Sequence, residues 1–249
     1  MALPGIYDAF QHWSKQTVWI YSDPHFGDKD LECGVRNRPS SEEQIANINS
    51  CAGRCDTLII LGDVGDIECV RKLRAGYKVL IMGNHDSGAS NYKRQVIQKM
   101  FGQEEYTREQ VIAEMRAAYP GWKISISEAW DPVRAPFKFW FVEADNMLFD
   151  EVYEGALIVG EKLILSHEPL DMIPWAFNIH GHQHNKRVKN GPRHLNVCSD
   201  VIGYKPFHLT HFLQKCGPTA NIDSLHRETI DRATERKAKR GGKKIGQKH

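Results

Sequence analysis

Val79-Leu-Ile-Met-Gly-Asn-His-Asp86 is the stretch whose reading sets the fold. Val79 to Met82 form a short, uninterrupted apolar run, the pattern of a strand buried on both faces of a parallel sheet. Gly83 ends the run, and Asn84, His85 and Asp86 follow at its C-terminal tip. In open α/β sheets that tip is where ligands are bound. Asn84 presents a neutral amide oxygen suited to a cation, and His85 an imidazole able to exchange protons near neutral pH. One such tetrapeptide carries little information alone; its weight comes from other strand tips with matching chemistry.

Working outward, Thr17–Ser22 is rich in β-branched and aromatic residues and predicts a strand ending in Asp23-Pro-His-Phe-Gly-Asp28. Thr57–Leu61 predicts a second strand, ending in Gly62-Asp-Val-Gly-Asp66. Between them, Ser40-Ser-Glu-Glu43 has the spacing of a capping box and opens a helix to about Cys51. A further helix over Ile67–Arg74 leads to the strand at Val79. This strand–helix–strand repetition predicts parallel strands with right-handed crossovers.

Beyond Asp86 the pattern changes. Tyr92–Phe101 reads as helix, and Thr107-Arg-Glu-Gln110 as a second capping box whose helix is stopped by Pro120-Gly121. Lys123–Ser127 and Phe137–Val142 alternate like hairpin strands. The segment 102–147 therefore stands as an inserted α+β unit, rich in Tyr, Trp and Phe. Those aromatics are either a packed layer of their own or a cap beside the site. Ala156–Val159 and Lys162–Ser166 predict a hairpin, the second strand ending in His167. Phe177–His180 leads into Gly181-His-Gln-His184, and Leu195–Cys198 and Phe207–Thr210 read as closing antiparallel strands. The main domain spans 1–220, followed by a helix over Asn221–Lys239 and a disordered basic end within 221–249.

Composition sets outer bounds. A chain of 249 residues with 41% hydrophobic and 26% charged residues is ordinary for a globular domain with a real core. No apolar run is long enough to span a bilayer, and the first residues lack the charge and apolar pattern of a signal peptide, so a cytoplasmic protein with no membrane partner is expected. The six cysteines form no CxxC pair; Cys51 and Cys55, at helical spacing, are read as free thiols rather than a zinc site. The net charge of +2 conceals a +7 tail from Arg232 to His249, which leaves the remainder at −5.

The chemistry gathers at the tips. Asp23, His25, Asp63, Asn84, His167, His182 and His184 each follow a predicted strand. Asp23/His25 and His182/His184 are two apart, so in extended backbone each pair projects to one side. Mixed imidazole and oxygen donors suit Mn, Zn, Fe, Co or Ni rather than Ca or Mg alone. Seven candidates exceed one tetrahedral site and fit two divalent ions that share a carboxylate, roughly 3.5–4 Å apart.

In order, Asp23-Pro-His25, Gly62-Asp63-Val-Gly-Asp66, Gly83-Asn-His-Asp86, His167 and Gly181-His-Gln-His184 resemble the blocks of the calcineurin-like metallophosphoesterase superfamily. Asp23-Pro-His-Phe-Gly27 and Leu165-Ser-His-Glu-Pro-Leu170 look like its small bacterial and phage branch. The likeness covers about residues 17–101 and 148–210. It implies an α/β fold, a four-layer αββα sandwich of two mixed sheets flanked by helices, with the α+β segment inserted. It implies Asp23, His25 and His184 for one metal, Asn84, His167 and His182 for the other, and Asp63 between them. His85 would protonate the leaving group or bind phosphate, with Asp66 orienting it. Two positions depart from the pattern: Asp28 replaces a His common in that branch, and Met82 stands where protein-phosphatase members carry Arg. The substrate expected is a small phosphoester, nucleotide-like or otherwise. The alternative is a nuclease or RNA-end phosphatase that uses the basic tail. A non-catalytic scaffold would show damage at His85 or the ligands, and none is visible.

Overall fold

The structure, a computed structural model, describes residues 2–14, 17–130, 138–184 and 193–215. Strands β1 (Val18–Tyr21), β2 (Thr57–Leu61) and β3 (Tyr77–Ile81) are separated by helices α1 (Lys29–Gly34), α2 (Ser41–Cys51) and α3 (Ile67–Val70). Helix α4 (Ala89–Tyr92) leads to β4 (Val96–Gly102), α5 (Arg108–Ala118), β5 (Lys123–Trp130) and β6 (Lys138–Asp145). The chain returns through β7 (Glu151–Tyr153), β8 (Leu157–Gly160), β9 (Leu163–Leu165), β10 (Phe177–His180) and β11 (His194–Asn196). It closes with α6 (Ser199–Ile202), β12 (Phe207–His208) and α7 (Leu209–Lys215).

Two mixed sheets face each other, in the orders β12-β1-β2-β3-β7 and β11-β10-β9-β8. Pairing is parallel from β1 through β7 and from β9 through β11, with β12 and β8 antiparallel at the edges. Alternation along each strand builds two cores. Val18, Ile20, Ile59, Leu61, Val79 and Ile81 point at Leu163, Leu165 and Ile179 of the second sheet. The intervening Tyr21, Leu58, Ile60 and Leu80 point outward, onto Ile45 and Ile48 of α2 and Val70 of α3. A strand buried on both faces must be apolar at every position, which is why these strands read as unbroken runs.

Both capping boxes form: Ser40 Oγ accepts from Glu43 N–H, and Thr107 Oγ1 from Gln110 N–H, each with the reciprocal bond. Asp28 caps α1, accepting from the Asp30 and Leu31 amides at 3.0 Å. Three local expectations are corrected. The span read as a helix over 92–101 contains strand β4, which pairs with β6 from Val96 to Gly102. β11 runs parallel to β10, not antiparallel. The strand at Phe207 has two residues, after which Leu209 and Leu213 turn inward from α7. The helix expected over 221–239 lies outside the described residues.

The insertion is a separate three-stranded sheet, β4-β6-β5, with α5 packed on one face. Val111 and Met115 of α5 meet Val142 and Ala144, with Phe101, Tyr119, Trp122 and Trp140 around them. These aromatics are the core of the unit itself. Its root is also displaced from the position that a cap requires. Lys93 bridges Phe149, and the Lys78 amide donates to Asp150 at 2.8 Å. The excursion thus leaves and rejoins beside the start of β3, the end opposite Asn84.

Arg94 ties this root. Its Nε and Nη2 donate to the two Asp145 oxygens at 3.0 and 2.6 Å, and Nη1 to Asp150 at 2.7 Å. Burial pushes the Asp145 carboxyl up, but Arg94 and the Met147 amide outweigh it and hold the carboxyl below its ordinary value. A depressed folded pKa contributes stability above the unfolded value of about 4, and the contribution is lost as pH falls through the folded value. Asp145→Asn is therefore expected to lower stability by about 1.5–3 kcal/mol at pH 7. The gap to wild type should narrow on acidification toward pH 3, measured by urea unfolding; a gap constant with pH would contradict the pairing.

Candidate metal centre

The C-terminal ends of β1, β2 and β3 in one sheet and of β9 and β10 in the other open onto one cleft. Asp23 and His25 follow β1, Asp63 follows β2, and Asn84 and His85 follow β3. His167 follows β9, and His182 and His184 follow β10. Asp23, His25, Asp63 and His182 all have positive φ, between 43° and 65°. Such backbone is costly for residues other than Gly and persists where the surroundings impose it, often at functional sites. Gly83 and Gly181 allow the tips to meet. A Cβ on Gly83 would lie 2.3 Å from Asp63 Oδ1, and one on Gly181 would lie 1.8 Å from Ser22 Oγ.

Nitrogen and oxygen atoms able to ligate a cation converge here. His167 Nδ1 lies 2.8 Å from the Leu61 carbonyl, which places the proton on Nδ1 and leaves Nε2 as a bare lone pair. That Nε2 lies 2.9 Å from Asn84 Oδ1 and 3.1 Å from His182 Nδ1, and those two are 3.1 Å apart. Three donors on edges of about 3 Å match a cation held at about 2.1 Å by each. On the other side, Asp23, His25 and His184 form a group whose ligand atoms lie within 4.8 Å of one another. His25 Nε2 is buried and has no hydrogen-bond partner among the described residues, as an atom awaiting a metal would be. Burial pushes the His25 imidazole below its ordinary pKa, which favours the neutral, ligating form. Asp63 Oδ2 lies 3.4 Å from His25 Nε2 and 3.5 Å from His167 Nε2, between the two groups, while its Oδ1 accepts from the His85 amide at 3.0 Å. The residues present fit two divalent ions.

A supporting frame surrounds the donors, and much of it was invisible in the sequence. Asp86 binds three amides, those of Asp63, Val64 and Gly83, at 2.9–3.0 Å, and so clamps the β2 and β3 tips together. Asp200 accepts from His184 Nδ1 at 2.5 Å and from the fully buried Arg38 at 2.8 Å, and also from the Tyr204 hydroxyl. Burial pushes the Asp200 carboxyl up, but these three partners hold it at about 2. The hydrogen bond to Asp200 raises the His184 pKa. Arg38 also donates to the Asp23 and Pro24 carbonyls, and Ser199 Oγ to the Asp23 carbonyl. Asp66 caps α3 by accepting from the Glu68 amide at 2.9 Å, and it makes no hydrogen bond to His85 among the described residues. The first turn of a helix needs an acceptor, and Asp66 supplies it. The His85 ring is exposed, with its centroid 5.5 Å from that of His25.

The calcineurin-like phosphoesterase family model matches residues 16–186, and the chain belongs to that family. The match takes in every tip described above. The family supports metal-dependent phosphoester hydrolysis as the general chemistry. No match was found among curated proteins. The crystal structure of "the protein of unknown function AQ665" from Aquifex aeolicus is similar to this chain. It shows 18% identity and a TM-score of 0.48, over 80% of this chain and 98% of that one. Among the described residues no helix is long and apolar enough to cross a membrane.

Proposed function

We propose that this chain hydrolyses small phosphoesters, nucleotide-like ones among them, at a dinuclear centre. Asp23, His25 and His184 would hold one ion, Asn84, His167 and His182 the other, and Asp63 both. The observation that carries this reading is the place of Asp63 Oδ2, within 3.5 Å of an imidazole nitrogen from each group. Two divalent ions would supply charge neutralisation at phosphorus and a water acidified to near neutrality.

The chain's own residues do the rest. Leu61 O and Asp200 fix the His167 and His184 rings so that Nε2 of each faces the cleft. Asp63 holds the His85 backbone, so the His85 side chain extends from a fixed point at the cleft mouth. There it can donate a proton to the departing oxygen. The arginine typical of protein-phosphatase members is replaced by Met82, which favours a small substrate over a phosphoprotein.

The test is a panel of para-nitrophenyl mono- and diesters, nucleotides and RNA with added Mn. Turnover of RNA alone, or of none of these, would refute the reading. His85→Ala is expected to retain both metals and lose about 10²–10⁴-fold in rate on nucleotides. The loss should be smaller on para-nitrophenyl esters, whose leaving group needs little protonation. An equal loss on both would assign His85 to phosphate binding instead.

A further inference from the structure

The far end of the first sheet carries a second cleft. A cavity of about 500 Å³ lies where the insertion joins the core, a size suited to a small ligand. Seven of its fourteen lining residues are Lys or Arg, against two carboxylates, Asp145 and Asp150. Both carboxylates are already engaged by Arg94. Arg54 and Arg74 from the core and Lys123 from β5 make no ion pair among the described residues. Arg71 gives Nη2 to Glu68 at 3.2 Å, but its buried Nε and Nη1 have no hydrogen-bond partner among the described residues. Lys72 pairs with Glu42 at 3.8 Å, and the Lys78 ammonium donates to the Met147 carbonyl. Among the described residues that leaves Arg54, Arg74, Lys123 and the unsatisfied donors of Arg71 to meet an anion.

We infer that this cleft binds a compact polyanion carrying several phosphate groups, at a site separate from the metal centre. Lys78, near the start of β3, lines the cavity, while Asn84 lies past the other end of that strand, about 20 Å away along the chain. A small substrate cannot bridge the two. The lining holds no aromatic side chain, so no base-stacking platform supports nucleoside recognition. What remains is charge: fork-shaped arginines match phosphate oxygens, and a cleft of about 500 Å³ has room for a short phosphate chain. The site exists because the insertion is present, since Lys123 and the Arg94–Asp145 root close it. The inserted unit, read from sequence as either a packed layer or a cap, would thereby also serve as one wall of this cleft.

The test uses the full chain carrying Asp63→Asn, with chelator present, so that the metal centre cannot hold the probe. Inorganic tripolyphosphate is titrated by calorimetry. One molecule per chain is expected to bind. Arg54→Glu with Arg74→Glu and Lys123→Glu, all at exposed positions, should weaken binding by about tenfold or more. Arg74→Lys alone, which keeps the charge but loses the fork, should weaken binding less than Arg74→Glu. Circular dichroism and melting temperature confirm that the triple variant is folded; should it unfold, Lys123→Glu alone must still weaken binding. Unchanged affinity in the charge-reversed protein overturns the proposal, because cations outside this cleft, such as the basic tail, would then hold the probe. Binding of a single-stranded RNA oligomer but not of tripolyphosphate also overturns it, in favour of an extended strand.

Discussion

Asp63→Asn is expected to abolish hydrolysis, by at least about 10³-fold, equivalent to about 4 kcal/mol of barrier. Metal analysis of the same protein should show both ions depleted. The reason is positional. One oxygen, Oδ2, lies 3.4 Å from His25 Nε2 and 3.5 Å from His167 Nε2, so one carboxylate serves two groups of donors. Its other oxygen is committed to the His85 amide. In the asparagine variant the amide oxygen would keep that bond and the NH2 would face the two imidazoles. It would then donate to the orphaned His25 Nε2, satisfying with a proton what a cation would satisfy in the wild type. The variant should accordingly be at least as stable as wild type in the presence of chelator, and less stabilised than wild type when Mn is added. Two full-occupancy ions in Asp63→Asn would refute the shared-ligand assignment, whatever the activity.

This position was legible from the sequence because the tip chemistry is local. Each candidate ligand follows an apolar run, and the runs are unbroken because β1, β2 and β3 are buried on both faces. Capping boxes were legible for the same reason: Ser40 and Glu43 meet within one helical turn. Where partners are distant in sequence, the reading failed. Val96-Ile-Gln-Lys-Met-Phe-Gly102 contains long unbranched side chains that favour helix, yet a seven-residue ladder with β6 makes it a strand. The aromatics between residues 101 and 141 could be seen, but not where the unit attaches, which depends on Lys93 meeting Phe149 and Arg94 meeting Asp145. The family resemblance implies Asp66 as a partner of His85, and Asp86 is its neighbour in sequence; the fold gives one to the α3 cap and the other to three tip amides. Arg38 and Asp200 are 162 residues apart and carry no motif that would pair them.

That pair is where the second large effect is expected. Asp200→Ala removes the acceptor of His184 Nδ1 and leaves the Arg38 side chain, which has no exposed surface, without its counter-charge. An uncompensated buried charge costs about 3–5 kcal/mol, so a substantial drop in melting temperature is expected. Loss of the acceptor also frees the His184 ring to turn, and removing such an outer partner of a metal ligand typically costs about 10–100-fold in metal affinity or activity. These two effects can be separated. Adding Arg38→Met to Asp200→Ala removes the stranded charge and should recover part of the stability, though the Asp23 and Pro24 carbonyls lose a donor. Metal affinity should not recover, because His184 remains unheld. Unfolding curves and metal titrations on the single and double variants make the comparison. If metal binding returns together with stability, Asp200 acts only through folding. If stability returns and metal binding does not, Asp200 positions His184, and the frame behind the cleft belongs to the chemistry as much as the donors that line it.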